Sequence, residues 1–259
     1  IPHLPAPPEN PQPFSLRATF EEFRLAWENH SFRALFVGTS AFAVSISIGT
    51  TLGTHLNVFF WGFSTGQISI LFIALAIGFG VGVLLSGYLH RHFDKKPSLL
   101  VACLVSSVAG SAAVALRLMD LLPANGEALL LYIVSSLLFA MGVMAGVGYT
   151  SAGSMMADVA YDQFLRTGRN QQGILFAATA LSGKLGSAGG HFLVGVGIDL
   201  IRFPLKADPA AVIPDLIVRL GVLSLVSAPF ALAGVYAISR YRISRESYEA
   251  SRRGVPEVG

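Results

Sequence analysis

Six apolar runs, each about twenty residues or longer, constrain this chain more than any motif in it. They cover approximately residues 34–60, 68–89, 98–116, 128–149, 174–198 and 216–238. A helix rising ~1.5 Å per residue needs about 20 residues to cross a ~30 Å hydrocarbon core. Lipid offers the backbone no hydrogen-bond partner, so a spanning segment must satisfy itself, and these runs are too long for barrel strands. Composition agrees, with 53% hydrophobic and 13% charged residues against about 25% charged in soluble domains. The expected fold class is an all-α membrane protein with six transmembrane helices. Pro229 is expected to kink the last. Pairs of glycines four apart (Gly49/Gly53, Gly78/Gly82, Gly142/Gly146 and Gly186/Gly190) are expected to let neighbouring helices approach closely. The lone Cys103 lies inside an apolar run, where a buried free thiol is expected.

Three regions follow. Residues 1–32 form a Pro-rich linker and interfacial helix, residues 33–240 the six-helix membrane domain, and residues 241–259 a basic tail. The opening "IPHLPAPPENPQPFS" favours extended, solvated backbone. It reads as a linker, which implies a preceding segment and a chain that is the C-terminal part of a longer protein. In "FSLRATFEEFRLAWENHSF", Phe20, Phe23 and Trp27 recur at helical spacing. That pattern suits either an amphipathic helix lying at the interface or a short extension of the first span.

Lys and Arg in alternate connections set the orientation. Thirteen fall on one side, in the N-terminal segment, in "HRHFDKKP", at Arg166 and Arg169, and in the tail. Three fall on the other, at Arg117, Arg202 and Lys206. The expectation is an integral membrane protein, in a bacterial inner membrane, with both termini cytoplasmic. The basic tail is accounted for by orientation and anionic lipid, so no nucleic-acid partner is expected.

The charges left over carry the functional reading. Lys184 lies ten residues into the fifth run, roughly 15 Å deep. A lysine stem there reaches neither surface comfortably, so the ammonium calls for a cavity or a partner. All fifteen Asp and Glu residues fall outside the span centres, so that partner is a solute, a water-filled cavity or an acid elsewhere. The alternative is a neutral lysine in a packed bundle. His191, two turns on, either faces the same cavity or hydrogen-bonds a neighbouring helix. Arg219 lies a turn inside the sixth span and can snorkel outward. Tyr149, at the end of the fourth run, suits an interfacial anchor or a binding role. Metal-ligand spacing, a phosphate loop and a nucleophile elbow are all missing from the sequence, so no enzyme activity and no resident cofactor are expected.

The stretch "ADVAYDQFLRTGRNQQG" followed by "KLG" resembles the signature of the glycoside–pentoside–hexuronide:cation symporters, the melibiose-permease-like branch of the major facilitator superfamily. The prolines followed by "NHSFRALFVG" resemble that family's central loop and seventh helix. The resemblance covers essentially the whole chain, as the second half of such a transporter. It implies a 3+3 inverted repeat working by alternating access against an N-terminal six-helix half, which is the implied partner. The implied solute is a small molecule such as a glycoside, coupled to Na⁺, H⁺ or Li⁺.

The same resemblance places Lys184 near the cation and sugar sites, and Tyr149, nine residues before the first Asp of the motif, in the sugar site. It places Asp158 in contacts that close the cytoplasmic side. Asp162, Arg166, Arg169 and Arg91 join that gate, with Arg91 or Lys95 as the partner of Asp158. Two positions depart from the pattern. Tyr161 stands where the family has its second Asp, and Gln172 where it has a Glu, which should weaken or rewire the gate. Two other readings remain at this point: an uncoupled facilitator or exporter of a lipid-like or drug-like solute, and a non-transporting scaffold or inactive half.

Overall fold

A computed structural model of the protein describes residues 15–204 and 212–243, and among these all regular structure is helical, with no strand. The helices are α1 (Leu16–Glu28), α2 (His30–His55), α3 (Thr65–His92), α4 (Lys95–Leu118), α5 (Ala128–Thr167), α6 (Gln172–Leu200), α7 (Pro214–Ser224) and α8 (Ser227–Ser239). Residues 1–14, Lys206 and the tail arginines Arg245, Arg252 and Arg253 lie outside the described residues.

Five segments are long and apolar enough to cross a membrane: His30–Phe60, Thr65–His92, Lys95–Leu118, Ala128–Thr167 and Pro214–Ser239. The remaining expected span is α6, helical over 29 residues. It falls short in apolarity because Lys184, His191 and a run of Gly and Ser interrupt it. This is an integral membrane protein, and the long helix that falls short of a spanning window carries Lys184 near its middle.

Helix boundaries follow local chemistry. Asn29 separates α1 from α2: its Oδ1 accepts from the amides of Ser31 and Phe32 at 3.0 and 3.3 Å, capping α2. The 13-residue α1 is therefore a separate helix, not an extension of the first span. It packs Phe23 and Trp27 against Phe32 and Phe36 of α2 and leaves Phe20 exposed. A π-helical turn, Leu56–Phe60, ends the α2 segment. Ser64 and Gln67 form a capping box at the start of α3.

One expectation is corrected and one is refined. The fourth apolar run is not followed by a loop at Tyr149. α5 continues for 40 residues, ~60 Å, because "YTSAGSMMADVAYDQFL" contains no breaker. It stops only at Gly168, which takes φ 65° and returns its amide to the Phe164 carbonyl. The charges from Asp158 to Arg166 therefore stand on a helix protruding past a ~30 Å core, not on a loop. The last span is broken at Leu225 and Val226, before Pro229. Proline lacks the amide that would bond the Leu225 carbonyl and its ring crowds that carbonyl, so the interruption appears one turn upstream.

In space the long helices pack in the order α3, α5, α4, α8, α2, α6. Exchanging α2 with α5, α3 with α6, and α4 with α8 maps this sequence of contacts onto itself. The core lies in two apolar clusters toward opposite ends of the bundle. One holds Leu52, Phe60, Leu71, Leu130, Ile198 and Leu220. The other holds Phe32, Leu35, Cys103, Met155, Leu175 and Ile238. Close-packed glycines occupy much of the layer between.

Candidate functional site

Lys184 is the thirteenth residue of α6, ~18 Å from the helix start. Its side chain is exposed and has no hydrogen-bond or ion-pair partner among the described residues. The opposite face of α6 is a buried stripe of small and apolar residues, including Ala178, Ser182, Gly186 and Gly190. A Cβ on Gly186 would meet the Ser40 carbonyl at 2.5 Å, and one on Gly190 would meet Ser47 Cβ at 2.6 Å. α6 is thus pinned against α2 on that face, which turns Lys184 outward.

Hydroxyls reinforce the α2–α6 seam. Thr39 and Ser182 share a hydrogen bond at 3.2 Å. Ser47 Oγ donates to the Ser187 carbonyl at 2.9 Å and also lies 3.1 Å from His191 Nδ1. Thr51 Oγ1 lies 2.6 Å from the same nitrogen. Of the two sequence alternatives for His191, the hydrogen bond to a neighbouring helix is present, on a ring that is also exposed.

Tyr149 is 75% exposed on α5, its ring 6.1 Å from that of Phe79. No hydrogen bond or ring contact joins it to Lys184. Arg219, also singled out in the sequence, makes an exposed pair with Asp215 one turn away at 2.8 Å.

The second cluster lies at the far end of α5. Asp158 is held by Lys95 Nζ at 2.8 and 2.6 Å, one contact to each carboxylate oxygen. The two side chains are only 14% and 31% exposed, so the pair is partly desolvated and ties α5 to the start of α4. A charge-assisted contact of this kind is worth on the order of 1–2 kcal/mol. Asp162 accepts from Arg166 Nε at 2.9 Å along the helix and from Asn29 Nδ2 at 2.9 Å. Arg169 is exposed, its backbone amide on the Thr167 hydroxyl at 3.3 Å. Arg91 is exposed in the last turn of α3.

Sequence reading missed several members of this cluster. Asn29 both caps α2 and reaches Asp162 and Gln163. Gln163, 3% exposed, lies on the buried side of α5 and donates to the Leu25 carbonyl at 3.4 Å. Lys96 Nζ donates to the Tyr241 carbonyl at 2.8 Å, and the Tyr241 hydroxyl to the Met155 carbonyl at 3.2 Å. Burial first, then the charges of Asp158, Asp94 and Asp162, push the Tyr241 phenol upward, keeping it a donor. A capping signal at Asn29 was legible; that the same amide also reaches α5 was not. Arms from α1, α2, α4 and the segment after α8 thus converge on the protruding end of α5. Among the described residues no group of three His, Cys, Asp or Glu side chains is placed to hold a metal ion.

The family described as MFS/sugar transport protein, within the major facilitator superfamily, matches residues 3–245 of the chain. A search of curated proteins gives no match. The match spans nearly the whole chain, so the chain belongs to that family, which is one of transporters.

Proposed function

We propose that this member of the MFS/sugar transport family serves as the C-terminal six-helix half of a cation-coupled symporter for a sugar or related solute. It works by alternating access against an N-terminal half, in a bacterial inner membrane with both termini cytoplasmic. The observation that carries this reading is Lys184: an exposed ammonium midway along a membrane helix, with no partner among the described residues. Such a group is costly against lipid and belongs to a solvated cavity or a solute path.

Two further features support the reading. The helix contacts repeat on exchanging the first three spans with the last three, as a 3+3 architecture requires. The Lys95–Asp158 pair and the Asp162–Arg166 pair lie where the cytoplasmic gate would close. Arg169 and Arg91 flank them. In a gate, these contacts form in one state and separate in the other, and each is weak enough to be exchanged during a cycle. Tyr149 offers an exposed ring on which a sugar face stacks. The coupling ion is Na⁺, H⁺ or Li⁺.

The test is Lys184→Met in the full-length transporter, reconstituted in vesicles and assayed for sugar uptake with and without a sodium gradient. Uptake should fall by about tenfold or more, with the protein still folded and inserted. Unchanged uptake and unchanged sodium dependence would remove Lys184 from the site.

A further inference from the structure

The hydroxyl network beside His191 bears on which of its ring nitrogens carries hydrogen. Each hydroxyl has a single proton to donate. Thr51 Oγ1 donates its proton to the Ser47 carbonyl at 2.7 Å. Ser47 Oγ donates its proton to the Ser187 carbonyl at 2.9 Å. Both oxygens nevertheless lie within hydrogen-bond distance of His191 Nδ1, at 2.6 and 3.1 Å. With both protons on those carbonyls the two oxygens accept and Nδ1 donates; with either proton turned to Nδ1 the tautomer is the reverse. In the first arrangement a neutral ring presents an unprotonated Nε2, a hydrogen-bond acceptor that has no partner among the described residues.

Where that acceptor lies matters. His191 is seven residues after Lys184, which returns it to the same side of α6, ~10 Å further along. Lys184, Ala188, His191 and Gly195 form one exposed stripe, small or polar throughout. Leu185, Phe192 and Val196 form a second exposed stripe about a quarter turn away, large and apolar. The second stripe suits acyl chains. The first would leave both a charge and an acceptor unsatisfied against lipid, so it suits a solvated path.

We infer that His191 is a solute-contacting residue whose Nε2 accepts a hydrogen bond from a solute hydroxyl, and that Ser47 and Thr51 are positioning residues that hold the ring in the required tautomer. Lys184 only donates and neutral His191 only accepts at Nε2. A polyhydroxylated solute satisfies both, because a hydroxyl can do either. This rests on the transport reading above, and it adds a residue and a polarity to that site.

The test uses the full-length transporter and radiolabelled methyl glycosides, with each monodeoxy analogue as competitor. In the wild type, removal of one particular hydroxyl should weaken competition about tenfold. In His191→Leu the parent and that analogue should compete equally, and His191→Gln should restore part of the discrimination. The inference is overturned if every analogue keeps its relative affinity in His191→Leu, since a purely structural histidine would scale all of them together. A wild type that takes up no glycoside overturns the transport reading, and this inference with it. Spectra of ¹⁵N-histidine-labelled protein separate the two failures. The signal lost in His191→Leu should be that of a neutral ring protonated at Nδ1, and it should shift in Thr51→Val. A wild-type ring protonated at Nε2 overturns the inference even where uptake is strong.

Discussion

Two helix pairs occupy equivalent places in the contact pattern, α3 with α5 and α2 with α6, and they are built differently. In the first, both partners supply glycines. Gly78 and Gly82 face the backbone of Phe139 and Val143, while Gly142 and Gly146 face that of Leu75 and Phe79. The seam is backbone against backbone, and the hydrogen bond between side chains that crosses it joins His90 to Ser151 at 2.8 Å. In the second, only α6 supplies glycines, and α2 answers with Ser40, Ala43, Val44 and Ser47. That seam carries Thr39, Ser47, Thr51, Ser182 and His191 in hydrogen bonds. Reciprocal glycines give mainly dispersion contact, which has one favoured register. One-sided glycines leave room for hydroxyls, and hydroxyls exchange partners at small cost. The glycine seam suits a fixed frame, and the hydroxyl-rich one suits the flank of the solute path proposed beside Lys184.

Three substitutions would break or sharpen this contrast. The largest effect is expected from Gly82→Ala, where the new methyl would overlap the Val143 carbonyl. Backbone cannot rotate away as a side chain can, so the helices must part, at about 3 kcal/mol or more. Thermal unfolding in detergent should show a strongly lowered Tm or no folded fraction. A Tm within a degree of wild type would mean that the glycine seam is not tight.

Ser47→Ala should be milder. It removes the donor to the Ser187 carbonyl and one acceptor for His191, while Thr51 still holds the ring. A loss of about 1 kcal/mol is expected, in line with hydrogen bonds between membrane helices. A loss as large as that of Gly82→Ala would erase the distinction between the seams.

Gly49→Ala should be the smallest. A Cβ there meets nothing within 4 Å, and alanine is the better helix former by up to about 1 kcal/mol. Unchanged or slightly raised stability is expected. Clear destabilisation would place an unseen neighbour on this face of α2.

The Gly49/Gly53 pair also shows where sequence reading stops. Its spacing is the same as that of Gly78/Gly82, Gly142/Gly146 and Gly186/Gly190, yet only the latter three meet a neighbouring helix. Gly38 and Gly234, which do bring α2 against α8, carry no such spacing. A glycine pair states that close approach is permitted. Whether a helix arrives depends on how each helix is rotated about its axis, which is set by all its contacts together.

Asp158 teaches the same lesson. The sequence offers it Arg91 or Lys95, four positions and one helix start apart. Lys95 reaches it because Asp94 caps α4 and fixes the first turn beside α5. The length of α5 past Tyr149 was legible in principle, since no Gly-Pro or Asn-Gly breaker precedes Gly168. The charges from Asp158 onward do not make that stretch a loop, because charge marks solvent and says nothing of helix or loop.

Hydropathy and length alone determined that this chain lies in a membrane as long helices, and that Lys184 stands midway along one of the long apolar runs. Both follow from a fixed rise per residue set against the thickness of a bilayer, and no neighbour enters that calculation. Only the tertiary structure decided which glycines meet a partner, that Lys95 holds Asp158, and which ring nitrogen of His191 faces the hydroxyls of α2. Each of these depends on the rotation and register of one helix against another, which residues far apart in the chain settle jointly.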